Sequence, residues 1–402
     1  MSQKRNQFLA LFVSALLIFS ILGYVWISGN NEPPFSVVGD KDSLDLFVGV
    51  EMAYDGVENA KKLIDKIKDY TNLFVIGTPE ITHNITKLNE VSQYAINAGL
   101  SLILFIYPTI EAEFNQSQWI EDARTKWGSR FLGVYAYDEW GGNQLDATYG
   151  DEDYWKRLVT DEEAQNYAEA ANLYVRKINE GVLPYYSYHM NSGDLKLFTA
   201  DYALYWFTYQ GGYEVILAEF GWNHSRPLNV ALARGAATMQ DKEWGAIITW
   251  RGSLEPLMES GDELYYDMIL AYLSGAKYIV IFNYPNLVSP YGLLNDEHFD
   301  ALERFWNYIN NCPQNEIYGL DSKRIAYVLP KDFGWGFRGS EDKVWGLWID
   351  DLSSQIGTDL NYLLDTQHIG LDIIYDDPKY YEGLNNYSKL IFWNGTIIEY
   401  PD

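Results

Sequence analysis

The stretch Ser260–Asn283, SGDELYYDMILAYLSGAKYIVIFN, decides the fold. Ser260 and Glu263 stand three apart, the capping-box spacing in which each side chain satisfies the other's free backbone donor at a helix start. The helical pattern runs to Gly275, which stops it, and Tyr278-Ile279-Val280-Ile281-Phe282 follows at once. A helix delivered straight into a continuous apolar run is the unit of a parallel sheet covered by helices.

The same unit recurs upstream. In the helix expected over about 161–180, Ala164, Tyr167, Ala168, Ala171, Tyr174, Val175 and Ile178 form one apolar stripe, and Arg176 and Lys177 sit near the negative end of its dipole. Gly181 ends it. Asp55/Glu58 and Thr160/Glu163 repeat the capping-box spacing. Candidate strands are Leu46–Met52, Leu73–Gly77, Leu102–Tyr107, Phe131–Asp138, Leu183–His189, Tyr202–Phe207, Ala246–Trp250 and Tyr278–Asn283. Right-handed βα units close into a (β/α)8 TIM barrel at that number, so Glu214–Ala218 is expected to be a helical turn rather than a ninth strand. The barrel is expected over 46–312. After Asn310-Asn311-Cys312-Pro313 the character changes: Lys323–Leu329 opens a small α/β domain over 313–402, with a helix near 351–367 and strands near 371–375 and 389–393.

At the other end, Phe8–Ile27 has no charged residue and is long enough, at about 1.5 Å per residue, to cross a bilayer core of roughly 30 Å. Lys4 and Arg5 precede it and Glu32 is the first charge after it, which puts the N-terminus in the cytoplasm and the rest outside. A cleaved signal peptide is the competing reading, but the apolar run is long and Trp26-Ile27-Ser28-Gly29 is a poor cleavage site. Residues 1–30 are thus expected to be a cytoplasmic tip and transmembrane anchor, and 31–45 a Pro-containing linker. Asn-x-Ser/Thr at Asn84, Asn115, Asn223, Asn386 and Asn394 suits an outward-facing glycoprotein.

A formal charge of -27 argues against nucleic-acid partners, whose backbone must be neutralised by Lys and Arg. Cys312 is the only cysteine, so neither an internal disulfide nor a thiolate metal cluster is available. The five histidines lack metal-ligand spacing, and no Walker or Gly-x-Ser-x-Gly motif occurs. No metal and no cofactor are expected, and the oligomeric state is open.

In a barrel of this kind the chemistry sits at the C-terminal ends of the strands. There the candidates are Glu51, Tyr107, Asp138-Glu139-Trp140, His189, Trp206, Trp250-Arg251 and Asn283-Tyr284, with Glu219 just beyond the sixth strand. Aromatic faces beside carboxylates suit sugars, whose C–H faces stack on rings while their hydroxyls bond to acids. With 33 Tyr and 14 Trp, any single ring is equally a packing residue. Glycoside cleavage needs one protonated acid and a second group that meets the developing positive charge, and the adjacent Asp138 and Glu139 can serve both needs. Glu219 lies in an apolar setting that suits a functional acid and also fits a solvent-facing helix position. Glu51 would bind hydroxyls, and Arg251 would bind a sugar carboxylate or pair with an acid such as Glu219. His189 would bond a hydroxyl, steady Glu139 or simply support the fold.

Tyr135-Ala136-Tyr137-Asp138-Glu139 resembles the Asp-Glu pair at the fourth strand of the substrate-assisted β-N-acetylhexosaminidases. The likeness implies that Glu139 is the acid/base and that Asp138 orients the substrate's acetamido group. The chain also broadly resembles retaining glycoside hydrolases with a Glu on the fourth strand, several of which carry a flavodoxin-like domain after the barrel. It departs from those in having Asp138 where Asn would precede the acid/base, and no Glu at the end of the seventh strand. The expected function is a membrane-anchored extracellular glycoside hydrolase; the alternative is an inactive barrel that binds glycan or scaffolds a surface.

Overall fold

The computed structural model describes residues 45–106, 112–147, 157–181, 195–249, 251, 258–286, 289–312, 324–337, 339 and 342–400. Eight parallel strands close a barrel in chain order: β1 (Phe47–Met52), β2 (Leu73–Ile76), β3 (Ser101–Ile106), β4 (Phe131–Ala136), β5 (Lys196–Asp201), β6 (Val215–Phe220), β7 (Glu243–Ile248) and β8 (Tyr278–Asn283), with β8 pairing back onto β1. The helices between them are α1 (Val57–Ile67), α2 (Pro79–Thr82), α3 (Ile85–Asn97), α4 (Gln116–Trp127), α5 (Trp140–Asp146), α6 (Tyr167–Gly181), α7 (Tyr205–Gln210), α8 (Arg226–Gln240) and α9 (Gly261–Leu273), and α10 (Asp296–Asn311) closes the ring. This is the (β/α)8 barrel.

Six of the expected strands stand where the sequence put them, and one, Tyr202–Phe207, does not. Leu183–His189 lies outside the described residues. Tyr202–Phe207 is a turn that enters α7, begun by Leu204 in the left-handed region at φ 51°. Five consecutive α7 residues, Tyr205 to Tyr209, are buried. A segment hidden on all sides shows no period, so its aromatic richness imitates a strand. The fifth and sixth strands are instead Lys196–Asp201 and Val215–Phe220, so the expected helical turn at Glu214–Ala218 is largely barrel strand.

Caps also sort differently from their spacing. Ser260/Glu263 forms its box, and Asn295/His298 forms another. α1 starts on Gly56, with Asp55 accepting from Asn59 instead. Thr160 does meet Glu163, but α6 begins only at Tyr167. The sequon residues Asn84 and Asn115 are N-caps of α3 and α4.

Two apolar layers result. Alternate strand residues (among them Val75, Phe105, Tyr135, Leu217 and Val280) fill the barrel interior, and the others meet the helices. Beyond the barrel a four-stranded sheet has the order β10 (Leu371–Tyr375), β9 (Arg324–Leu329), β11 (Tyr387–Phe392), β12 (Ile397–Glu399), with α11 (Leu352–Gln367) between β9 and β10. The parallel order second-first-third is that with which flavodoxin-like sheets begin. This sheet sits on α8, where a Cβ on Gly235 would lie 2.4 Å from the Ile373 carbonyl oxygen. Leu44–Asp402 forms one compact unit carrying both sheets. No helix among the described residues is long and apolar enough to cross a membrane. The expected anchor, Phe8–Ile27, lies outside them.

Candidate active site

The chain after β4 is held in an unusual shape. Tyr137 and Glu139 both have positive φ, 59° and 54°, a region that costs a non-glycine residue of order 1–3 kcal/mol unless its surroundings enforce it. β5 supplies the enforcement. Thr199 donates to the Tyr137 carbonyl at 2.9 Å, and the Glu139 amide donates to the Ala200 carbonyl at 2.8 Å. The Gly141 and Gly142 amides donate to the Asp201 carboxylate at 2.6 and 2.9 Å. Behind them Tyr213 donates to the Ala136 carbonyl and accepts from Trp140, whose ring lies 4.8 Å from that of Tyr137. Glu139 becomes the N-cap residue of α5, and Asn143 one turn on donates to its carbonyl at 2.7 Å. Asp138 and Glu139, both half-buried, are therefore set on a braced corner beyond the strand end.

Strand alternation brings two more carboxylates to the same end. Glu51 is the fifth residue of β1 and Glu219 the fifth of β6, each facing the interior and each nearly sealed, with 2% and 3% exposed. Glu219 is thus in the strand rather than beyond it, and Asn229 of α8 fixes its carbonyl at 2.8 Å. Glu51 lies against the end of β2, where a Cβ on Gly77 would come 2.7 Å from its Oε1. A side chain there would have to displace the carboxyl. The Glu51 Oε2 has no hydrogen-bond partner among the described residues. Burial, and then the charge of Asp138, push its pKa up to about 8, so the carboxyl is protonated at neutral pH.

Tyr135 marks where these groups meet. It is buried on β4, and its hydroxyl is held well above the ordinary range first by burial and then by Glu51, Asp138, Glu219 and Glu139. Four carboxylates, one each on β1 and β6 and two on the corner beyond β4, therefore share one neighbourhood at the C-terminal mouth. Desolvation also raises Asp201 to about 7, against the pull of four backbone amides. Sequence reasoning missed Tyr135 and Asp201. Tyr135 stands inside the Tyr-Ala-Tyr-Asp-Glu motif at an inward position, a signal that alternation could have supplied; Asp201 ends a strand that was not recognised.

The other expected contacts scatter. Trp206 sits in α7 and packs its ring on Tyr375 and Tyr380 at 5.2 Å from each, facing the second sheet instead of the mouth. Asn283, fully buried, spends its amide on Tyr54, the Tyr291 carbonyl and the Leu293 amide, which ties β8 to the loop beyond it. Arg251 is exposed and pairs with Glu263 at 2.5 Å, so its acid partner is not Glu219. Tyr284 is exposed next to Phe282. Tyr107, His189 and Trp250 lie outside the described residues. Among the described residues no cluster of His, Cys, Asp and Glu could hold a metal ion. The end of β7, Ile248-Thr249, offers no carboxylate.

No family model and no curated protein matches the chain. Solved structures do resemble it. A GH5_18 enzyme from Streptomyces cattleya in complex with GlcNAc superposes with a TM-score of 0.55 at 12% identity, over 87% of this chain and 99% of that one. α-L-Fucosidase isoenzyme 2 from Paenibacillus thiaminolyticus gives 0.48 at 11% identity, over 86% of this chain. The chain spans 59% of that fucosidase's length. A family 5 glycoside hydrolase from Prevotella bryantii gives 0.40 at 12% identity, over 66% and 98% of the two chains. At these identities the likeness is one of fold: the structural neighbours include glycoside hydrolases built on (β/α)8 barrels.

Proposed function

We propose that the chain is a glycoside hydrolase acting at the C-terminal mouth of its barrel. The observation that carries this reading is the convergence of Glu51, Asp138, Glu139 and Glu219 around Tyr135. Carboxyls whose surroundings push their pKa values apart can divide into proton donor and charge stabiliser. Glu139, farther out along the mouth than the sealed Glu51, is the acid. Its proton passes to the glycosidic oxygen as the C1–O bond breaks and the bond pair leaves with that oxygen. Water then adds to C1 and returns a proton to the Glu139 carboxylate, so Glu139 ends as it began.

Asp138 takes the second role by orienting a 2-acetamido group whose oxygen holds C1 between the two steps. The absence of a carboxylate at the end of β7 among the described residues favours this route over a double displacement. Glu51, held neutral by burial, adds no second negative charge beside Asp138. Since one barrel of similar fold is complexed with GlcNAc, 2-acetamido sugars are the first substrates to try. Release of reducing ends from β-linked N-acetylglucosamine oligomers should fall about 10²–10⁴-fold in Glu139→Gln, with the melting temperature unchanged. Intact sugar binding with no turnover in the unaltered protein would instead establish an inactive glycan-binding barrel.

We also infer that Phe8–Ile27 anchors the protein with its barrel outside the cell, on the strength of Lys4 and Arg5 before an uncharged run. Protease added to intact cells should then digest the part beyond residue 30 while the protein fractionates with membranes. Full protection would refute the orientation, and release into the medium would indicate cleavage.

A further inference from the structure

A cavity of about 600 Å³ opens between the loops that leave β5 and β6 and the second module. Its barrel wall holds Tyr202, Trp222 and His224, whose rings lie 5.2–5.9 Å apart. Phe337 and Asn361 form the opposite wall, and both also line a smaller cavity of about 310 Å³ that continues along α11. No Asp, Glu, Lys or Arg among the described residues lines either space, in a chain with a net charge of -27. The smaller cavity contains the fully buried Ser353, whose hydroxyl has no hydrogen-bond partner among the described residues.

Two residues of the larger cavity's lining, Tyr202 and Asn229, contact the scaffold of the carboxylate site. The Tyr202 ring covers Gly142, where a Cβ would meet its Cζ at 2.0 Å, and its hydroxyl donates to Asp146 at 2.9 Å; both residues belong to α5, the helix that Glu139 caps. Asn229, also in the lining, donates to the Glu219 carbonyl. Walls of aromatic faces, amides and hydroxyls match the alternating C–H faces and hydroxyls of uncharged sugars.

We propose that this groove is an extended subsite for a neutral oligosaccharide, so that the barrel and the second module grip one glycan chain that runs on from the carboxylate centre. The proposal rests on the glycoside-hydrolase reading for what occupies the mouth, but its test does not need catalysis. Binding is measured by titration calorimetry on the full chain carrying Glu139→Gln, with neutral N-acetylglucosamine, cellulose and mannan oligomers of two to six residues and with uronic-acid oligomers of equal length as the charged contrast. At least one neutral series should gain affinity with chain length, and the uronic series should bind more weakly. Trp222→Ala should reduce the hexamer's affinity about tenfold, the scale of one lost aromatic face, and affect the dimer less. Asn361→Arg, at an exposed position of α11, should give the same flattening without disturbing the core. Length-independent affinity, unchanged hexamer binding in both variants, or preference for the uronic series overturns the subsite. Length-dependent binding that both variants weaken, beside an unaltered protein that hydrolyses none of the neutral series, retains the subsite and removes the hydrolase reading.

Discussion

Glu51 is held against ionisation: its side chain is sealed in the barrel interior, and burial, then the charge of Asp138, raise its pKa to about 8. A carboxyl with its folded pKa above the unfolded value binds its proton more tightly when folded. Its contribution to stability is therefore full below about pH 4.5 and is lost as pH rises toward 8, by on the order of 1 kcal/mol per pH unit. Glu51→Gln keeps the shape and removes the titration. Thermal unfolding of the variant should lose less stability between pH 5 and pH 8 than the parent does. Equal slopes would mean that Glu51 is not held neutral. At this scale the sequence was informative where chemistry is local: Glu51 and Asp138-Glu139 stand out because strand alternation and adjacency identify them. Tyr135 was hidden, because what distinguishes it is the company of groups on β1 and β6.

Among elements, β5 matters most to the site, since its last residue organises the turn after β4. Asp201 is fully buried and accepts from four backbone amides, those of Gly141, Gly142, Tyr202 and Ala203. Asp201→Ala would leave these donors buried and unmet, and should cost roughly 1–3 kcal/mol of stability in denaturant unfolding. It should also lower kcat more than it raises KM, because Glu139 would lose its brace while the groove remains. A variant with normal kcat and lowered stability would restrict Asp201 to a structural role. The sequence concealed this strand for a physical reason. Lys196–Asp201, KLFTAD, is short and polar at both ends, whereas Tyr202–Phe207 beside it is aromatic enough to imitate a strand. Where an apolar run and its boundaries agree, as in Ser260–Asn283, helix and strand were both legible.

For the molecule as a whole, the question is what fixes the second sheet to the barrel. Arg234 of α8, 4% exposed, meets Asp372 of β10, which is fully buried, at 2.7 Å, and also donates to the carbonyls of Ile369 and Leu371. Arg324 of β9 reaches the other Asp372 oxygen at 2.9 Å. Trp345, buried near Tyr174 and Phe207, adds an apolar clamp, and Gln144 of α5 donates to its carbonyl. Two charges taken out of water repay their desolvation only with such complete hydrogen bonding, and removing one partner strands the other. Arg234→Met should therefore destabilise the protein by about 3–5 kcal/mol in guanidinium unfolding, toward the lower figure because Arg324 still faces Asp372. Arg234→Met with Asp372→Leu removes the two buried charges, leaves only the part-exposed Arg324 to turn to water, and should regain most of that loss. If the double variant is as unstable as the single one, the hydrogen bonds to Ile369 and Leu371, not the buried charge, hold the sheet in place. Recovery of stability with loss of activity on long glycans alone would show that the pair also sets the position of the groove's outer wall.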